Sequence, residues 1–149
     1  MERVETRCLT VPGTSHGVQA ALDALAALTT AHGISKAVSW PVEVSLDEVL
    51  ANVVEHAFEG REEAGTVDLE LRLDLGVEPP LCEMMVVDDG PEFDPLSAAQ
   101  PDPSLGIEER PIGGLGLALV RRLMDEVQYE RRDGKNRLRL RRRLVAIEA

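Results

Sequence analysis

The stretch Val44–Glu59, VSLDEVLANVVEHAFE, decides the fold of this chain. Its apolar residues recur at steps of three and four, which is the spacing of one buried face of an α-helix. These residues are Leu46, Val49, Leu50, Val53 and Ala57. Glu48, Asn52 and His56 follow one another at steps of four, so their side chains share a stripe on the same helix. A carboxylate, an amide and an imidazole aligned in this way can meet a metal-bound ligand together.

A purely structural interpretation of the same stretch stays open. Ser45-Leu46-Asp47-Glu48 fits a capping box, in which Ser45 caps the helix and Glu48 reaches back to it. Pro41 could instead occupy the first turn, and the helix would then begin before Ser45. The other polar residues would form a solvated helix face. Asn52 is the informative member, because asparagine is a mediocre helix former and needs a reason to stand in the middle of a helix.

Length and composition indicate one domain spanning residues 1–149. The 149 residues with 44% hydrophobic content suffice for one substantial core. The chain has no apolar run long enough to span a bilayer, and its N-terminus, MERVETRCLTV, lacks the layout of a signal peptide. Cys8 and Cys82 form neither a metal-binding spacing nor a disulfide framework, and both are expected to be buried thiols. We therefore expect a cytoplasmic protein with no membrane partner.

The net charge of −11 is distributed unevenly along the chain. Residues 1–120 hold 6 Lys/Arg and 22 Asp/Glu, whereas residues 121–149 hold 10 and 5, giving −16 and +5. An acidic body argues against nucleic-acid binding, which depends on neutralising phosphates. Arg137, Arg139 and Arg141 alternate with leucines, which indicates a strand with a charged wet face. A DNA-binding regulator that uses this basic segment is the other interpretation.

The remaining patterns predict a strand, two helices, two strands, a long loop, a helix and a terminal hairpin. The elements flanking Val44–Glu59 are a strand at Arg3–Val11, a helix at Ser15–His32, strands at Val67–Leu75 and Leu81–Val87, a loop at 96–114, a helix from Leu117 to Val127 and a hairpin of Gln128–Arg132 and Asn136–Leu144. Short turns between neighbouring strands favour an antiparallel or mixed sheet. The strict alternation in Val67–Leu75 leaves one sheet face wet, so three helices would cover the other face. This order predicts an α+β fold, a two-layer α/β sandwich.

Two further features have the chemistry of a nucleotide site. Gly113, Gly114 and Gly116 precede a predicted helix and could aim free N–H groups at an anion, or could form a hinge. Neither common phosphate-loop pattern is present. Asp88 ends a buried strand just before Gly90; its carboxylate could accept a hydrogen bond from an exocyclic amine, or could form an Asx turn.

Together these motifs resemble the ATPase/kinase domain shared by gyrase, MutL and histidine kinases. The resemblance is strongest to the anti-sigma-factor serine/threonine kinases, and it covers roughly residues 5–144. Glu48-x-x-x-Asn52-x-x-x-His56 resembles the N box, Asp88-x-Gly90 with Phe93-Asp94-Pro95 the first glycine box, and Gly114-Leu115-Gly116-Leu117 the second. The resemblance implies a Bergerat-type ATP-binding fold.

The resemblance also implies roles for individual residues. Asn52 would coordinate Mg²⁺, and Glu48 would be the general base of phosphoryl transfer. Asp88 would bind the adenine amine with Gly90 beneath the ring, and residues 96–114 would be a lid. The other residues implied to contact ATP are His56, Phe93, Arg110, Gly113, Gly114, Leu115, Gly116 and Leu117.

The implied function is an ATP-dependent protein serine/threonine kinase that also sequesters a partner. Its partners would be a small antagonist protein of the anti-anti-sigma type and possibly a sigma factor, and a homodimer is possible. The alternative is a non-catalytic, nucleotide-gated binding module, from which Glu48 as the base distinguishes the kinase. Many relatives carry a threonine near the adenine on the last strand; here the residue after Leu138 is Arg139.

Overall fold

The computed structural model describes residues 3–58, 60–63, 65–96 and 112–147. These residues form five strands and three helices. In chain order the elements are β1 (Val4–Pro12), α1 (Ser15–Ala31), α2 (Lys36–His56), β2 (Thr66–Asp74), β3 (Leu81–Asp88), α3 (Ile112–Leu123), β4 (Glu126–Arg132) and β5 (Lys135–Arg143).

The five strands form one sheet in the order β1-β2-β3-β5-β4, and every neighbouring pair is antiparallel. The sheet of the described residues is therefore fully antiparallel rather than mixed. Asp133 and Gly134 join β4 to β5 with φ angles of 52° and 74°, as a two-residue hairpin turn requires. β5 thus lies between β3 and β4, which brings the last strand next to the end of β3.

Three helices pack on one face of the sheet, so the predicted α+β two-layer sandwich is confirmed. Every second residue of β2 faces these helices and is at most 3% exposed, as its strict alternation predicts. α2 contributes Leu46, Val49 and Leu50, and α1 contributes Leu25 and Leu28, all at most 2% exposed. Burying each such side chain stabilises the fold by about 1.5–3 kcal/mol. Among the described residues, no helix is long and apolar enough to cross a bilayer.

The central helix begins earlier than the capping-box interpretation places it. α2 starts at Lys36, with Ser35 as its N-cap, and continues through Pro41. Ser45 lies in the middle of this helix and is fully buried, so it cannot cap a helix end. The capping-box interpretation of Glu48 is therefore wrong. The Glu48 side chain is available for another role.

The third helix is displaced toward the N-terminus relative to the sequence prediction. α3 begins at Ile112, so Gly113, Gly114 and Gly116 lie inside the helix rather than before it. It ends at Leu123, and Val127 belongs to β4. The buried Arg142 explains this end, because its Nη1 donates to the Leu123 carbonyl oxygen at 2.6 Å. A cation at a helix C-terminus satisfies a free carbonyl and is favoured by the helix dipole.

The two cysteines have different environments. Cys82 is buried on the helix side of β3, whereas Cys8 lies exposed on β1, so the expectation of two buried thiols is wrong for Cys8. β1 is an edge strand that pairs only with β2 among the described strands, and its alternate side chains face away from the helices. Burial, reinforced by the nearby Glu83 charge, raises the pKa of the Cys82 thiol to about 12.

We therefore expect a thiol-alkylating reagent to modify Cys8 but not Cys82 in dilute native protein at neutral pH. Alkylation requires an accessible thiolate, and Cys82 has neither exposure nor a pKa that permits one. Mass spectrometry of the modified protein distinguishes the two sites, with denatured protein as the control in which both react. Equal modification rates in the native protein would contradict the burial of Cys82.

Candidate functional site

A cavity lies between α2 and the sheet, where β3 ends. Its empty volume is about 400 Å³, including space open to solvent at the mouth. The lining residues come from α2, β3, the segment after β3, β4 and β5. They are Val49, Asn52, Val53, His56, Ala57, Val86, Asp88, Pro91, Phe93, Pro95, Tyr129, Asn136 and Leu138. The apolar walls with few polar groups are typical of small-molecule sites.

Asp88 is a buried carboxylate with one oxygen that accepts hydrogen bonds within the chain and one that is available to a ligand. Its Oδ1 accepts hydrogen bonds from the Gly90 N–H at 2.9 Å and from Asn136 Nδ2 at 2.9 Å. Its Oδ2 has no hydrogen-bond partner among the described residues. Because Asp88 lines the cavity and is only 7% exposed, this oxygen can accept a hydrogen bond from a bound ligand with little competition from water.

Asn136 is the centre of the hydrogen-bond network that holds Asp88. Besides Asp88, its Nδ2 donates to the Pro91 carbonyl oxygen at 2.9 Å. Its Oδ1 accepts from Tyr129 Oη at 2.6 Å and from the Phe93 N–H at 3.2 Å. The buried amide therefore connects β5 to β4 and to the segment that follows β3, and it fixes the orientation of the Asp88 carboxylate.

Tyr129 and Arg131 complete this network from β4. Burial is the main cause that raises the pKa of the Tyr129 hydroxyl, with the charge of Glu92 as the next. A raised pKa keeps the hydroxyl protonated, so it donates to Asn136. Arg131 Nη1 donates to the Gly90 carbonyl oxygen at 2.7 Å and to Asn136 Oδ1 at 3.2 Å. Both β4 side chains thus stabilise the turn after β3, Arg131 directly and Tyr129 through Asn136.

Gly90 allows the end of α2 to pack directly on this turn. A Cβ added at Gly90 would lie 2.7 Å from both the Cα and the carbonyl oxygen of Ala57. Arg61 also joins the two segments, because its guanidinium lies 3.2 Å from Asp89 and 5.3 Å from the centre of the Phe58 ring. The missing Cβ of Gly90 therefore makes room for a helix. That a purine ring lies on Gly90 stays a prediction.

The polar stripe of α2 faces the cavity at two of its three positions. Asn52 and His56 line the cavity, and the His56 ring stacks on Phe93 with centroids 5.2 Å apart. The Asn52 side chain is half-buried and has no hydrogen-bond partner among the described residues. Its amide oxygen is therefore available to a ligand or an ion.

Glu48 lies one turn before Asn52 and faces α3 instead of the cavity wall. A Cβ added at Gly116 would lie 2.2 Å from Glu48 Oε2, so the glycine leaves the space that the carboxylate occupies. Glu48 has no hydrogen bond or ion pair with another described residue. An unpaired carboxylate beside the first turns of a helix can accept a proton from a substrate that enters there.

Because these glycines lie inside α3 rather than before it, not all of their N–H groups are available to a bound anion. Only the first four N–H groups of an α-helix lack a partner within the helix. Gly113 and Gly114 lie within this first turn of α3, whereas Gly116 is the fifth residue. Leu115 and Leu117 also lie in α3. Arg110 and residues 97–111 of the predicted lid lie outside the described residues, and residues 112–114, predicted to be lid, are helical.

Asn136 is the site residue that the sequence interpretation missed. Arg139 is not part of this site, because it lies on the sheet face away from the helices and donates to Gln128 Oε1. The alternating pattern of β5 contains the signal that identifies Asn136, because this residue lies on the same strand face as the buried Leu138 and Leu140. A polar residue on an otherwise apolar strand face needs buried partners.

The donor atoms fit a Mg²⁺ ion held mainly by a phosphate ligand. No cluster of three or more His, Cys, Asp or Glu side chains occurs within the described ranges, so they contain no all-protein cage of that kind. Mg²⁺ prefers oxygen ligands, keeps several waters and is commonly bound by one or two side chains plus substrate phosphates. The free amide oxygen of Asn52, with the unpaired Glu48 one turn away, matches this preference.

Comparisons with known proteins place this geometry in context. The family model of the histidine kinase-like ATPase domain matches residues 11–142. The serine/threonine-protein kinase BtrW of Bordetella bronchiseptica is 34% identical over 63% of this chain and 63% of its own length. The serine-protein kinase RsbW of Bacillus cereus is 28% identical over 90% of this chain and 82% of its own.

A solved structure of similar fold contains the RsbU and RsbW domains of Rv1364c from Mycobacterium tuberculosis. The two structures superpose with a TM-score of 0.65 at 16% sequence identity. The match covers 94% of this chain and 32% of the mycobacterial chain. At this identity the match establishes the shared fold.

We expect Asn136→Ala to lower the free energy of unfolding by about 1–3 kcal/mol, because Asp88 and Tyr129 lose a buried partner. For a domain of this size each kcal/mol lowers the melting temperature by roughly 2–4 °C. Thermal unfolding monitored by circular dichroism measures the change. Gln128→Ala is the matched control, because it removes an exposed amide from the other sheet face. Equal stability of the two variants would contradict the central role of Asn136.

Proposed function

The chain belongs to the histidine kinase-like ATPase domain family, and we propose that it is an ATP-dependent protein serine/threonine kinase that also sequesters a protein partner. One observation carries the proposal. The available oxygen of Asp88 and the free amide of Asn52 line one cavity, with the unpaired Glu48 one turn away on the same helix. The names of the two relatives, both protein kinases, support the transfer reaction.

The adenine would enter the apolar part of the cavity. Asp88 Oδ2 would accept a hydrogen bond from the exocyclic amine, while Asn136 keeps Oδ1 occupied and the carboxylate oriented. An acceptor at this position selects adenine over guanine, which carries a carbonyl oxygen at the corresponding ring carbon. The stacked rings of His56 and Phe93 would form the aromatic wall beside the nucleotide.

Asn52 would hold the metal through its amide oxygen. Bound Mg²⁺ would supply positive charge that offsets the charge of the phosphates. The first-turn N–H groups of α3, including those of Gly113 and Gly114, would donate to the phosphates, where the positive end of the helix dipole favours an anion. Asn52 from α2 and these amides from α3 would therefore hold the phosphates from two sides.

Glu48 would act as the general base. Its carboxylate would accept the proton of a serine or threonine hydroxyl, whose oxygen would then attack the γ-phosphorus and release ADP. Gly116 permits this position, because any side chain there would displace the carboxylate. The resemblance to anti-sigma-factor kinases supports a small antagonist protein as the phosphorylated partner and a sigma factor as the sequestered one.

We expect Mg-ATP to raise the melting temperature of the wild-type protein but not of Asn52→Ala. A ligand at about 100 times its dissociation constant adds about 2.7 kcal/mol to stability. That free energy corresponds to roughly 5–10 °C for a domain of this size. Differential scanning fluorimetry with and without Mg²⁺ measures the shift. Gln19→Ala, which removes an exposed amide from α1, is the control and should respond like the wild type. An unchanged shift in Asn52→Ala would refute its role.

We expect Glu48→Gln to retain ATP binding and to reduce phosphate transfer by about 10²- to 10⁴-fold, because a carboxamide cannot take the hydroxyl proton. Transfer of labelled γ-phosphate to antagonist proteins of the anti-anti-sigma type measures the rate. Glu55→Gln, which changes an exposed carboxylate on the same helix, is the matched control and should behave like the wild type. Equal rates for Glu48→Gln and the wild type would exclude the base assignment. Nucleotide binding without transfer in the wild type would favour the non-catalytic module.

A further inference from the structure

We propose that Arg142 is a positioning residue for the phosphate side of the site, because it fixes the direction of α3 from the far end of that helix. The inference rests on the proposed function, in which the first turn of α3 serves the phosphates and Gly116 leaves space for Glu48. Arg142 lies on β5, on the same strand face as Asn136, and does not line the cavity. Its effect on the site would therefore act through α3.

The environment of Arg142 is costly for a cation. Its side chain is only 7% exposed, and its neighbours on the same side of the chain, Leu140 and Leu144, are buried. It has no ion pair with another described residue, and its Nε has no hydrogen-bond partner among them. Burying a cation without a carboxylate costs free energy. An apolar side chain would avoid this cost, so the contacts that the guanidinium does make indicate a specific role.

Two backbone carbonyl groups from different segments hold the guanidinium. Nη1 donates to the carbonyl oxygen of Leu123, the last residue of α3, at 2.6 Å. Nη2 donates to the carbonyl oxygen of Val145, in the segment after β5, at 3.2 Å. A planar guanidinium presents its donors at fixed angles. Arg142 therefore ties the end of α3 to β5 through a hydrogen bond of defined direction.

The other contacts near this end of α3 hold the chain in place without fixing the direction of the helix axis. Val120 packs into the core, but apolar packing is non-directional. Asp125 ties the turn after α3 to β5, because its N–H donates to the Arg141 carbonyl oxygen at 2.8 Å and its carboxylate accepts from the Arg143 N–H at 2.7 Å. These bonds keep the path of the chain when Arg142 is replaced, whereas the end of the helix loses its directional contact.

A small change of direction at Leu123 is amplified at the start of α3. The helix has 12 residues, which corresponds to a length of about 18 Å at about 1.5 Å per residue. A tilt of about 5° at one end of such a helix moves its other end by about 1.5 Å. The Glu48 carboxylate already contacts Gly116, since a Cβ added there would lie 2.2 Å from Glu48 Oε2. Misplacement of reacting groups by about 1 Å can slow a reaction by about 10²-fold.

β5 thus carries one polar contact for each side of the site. Asn136, near the start of the strand, orients Asp88 at the adenine side. Arg142, near its end, orients α3 at the phosphate side. The two residues lie on one strand face, about 20 Å apart along the strand. Because the contacts are separate, a substitution at Arg142 should disturb the phosphate side and leave the adenine side intact.

Amide hydrogen exchange of the nucleotide-free full chain tests the anchor without reference to activity. Arg142→Met keeps a long apolar side chain but loses both donors, so amides of residues 116–123 should exchange at least about tenfold faster than in the wild type. Amides of β2 should be unchanged. Arg143→Met is the matched control, because it removes an exposed guanidinium from the next residue of the strand. It should exchange like the wild type. Unchanged exchange of α3 in Arg142→Met would overturn the proposal.

Phosphate transfer and adenosine binding test the positioning role. Arg142→Met should lower the kcat of transfer by about 10- to 100-fold, while its affinity for adenosine stays within about twofold of the wild type. Adenosine reaches only the adenine side, so partial unfolding would weaken its binding as well. Circular dichroism sets a temperature at which every variant is folded. A wild-type kcat in Arg142→Met, or an equal loss of transfer and adenosine binding, would contradict the positioning role.

Arg142→Lys is the conservative variant, and it carries the same comparison if Arg142→Met does not fold. Lysine keeps a cation that donates hydrogen bonds but lacks the planar fork, so its kcat should lie between those of Arg142→Met and the wild type. A kcat of Arg142→Lys no higher than that of Arg142→Met would count against the directional contact.

Failure of the proposed function gives a different result from failure of this inference. If the wild type binds nucleotides but transfers no phosphate, the ratio of its affinities for Mg-ATP and adenosine replaces kcat. Arg142→Met should lower that ratio, because only Mg-ATP uses the first turn of α3, and an unchanged ratio would overturn the positioning role. A wild type that binds no nucleotide would refute the proposed function, and the hydrogen exchange of α3 would still decide whether Arg142 anchors the helix.

Discussion

The cavity depends on one shared hydrogen-bond acceptor, Oδ1 of Asp88. The Gly90 N–H and the Asn136 amide both donate to this oxygen, so the turn after β3 and the strand β5 are joined at a buried point. Removing either donor would free the carboxylate to rotate. Because both bonds use the same oxygen, the other oxygen stays available at the cavity wall. A single buried carboxylate thus links the sheet to the site.

Two glycines fix α2 between the sheet and α3. Gly90 lets the backbone at Ala57 approach the turn after β3, and Gly116 leaves space for the Glu48 carboxylate beside α3. Neither glycine has a positive φ, so the constraint is steric: a Cβ at Gly90 would clash with the Ala57 backbone, whereas a Cβ at Gly116 would displace the Glu48 carboxylate. The polar stripe of α2 therefore lies at a defined distance from both the turn after β3 and α3.

Local patterns predicted the elements whose signals are complete within a few residues. The alternation of β2 and the terminal hairpin of β4 and β5 are such signals, and the structure confirms both. The start of α2 was not predictable in this way, since the sequence around Ser45 satisfies the rules for an N-cap although the residue is buried within the helix. Asn136 was missed because its partners come from three separate segments. The register of β5 against β3 brings Asn136 to Asp88 and to the segment after β3, and no local pattern specifies that register.

A crystal structure with Mg²⁺ and a non-hydrolysable ATP analogue tests the assignment of this cavity most directly. We expect the adenine amine within about 3 Å of Asp88 Oδ2, a normal hydrogen-bond distance. We also expect Asn52 to coordinate the metal, and the Asp88–Asn136 hydrogen bond to be unchanged. A nucleotide bound elsewhere, or bound in this cavity without contact to Asp88, would contradict the proposed site.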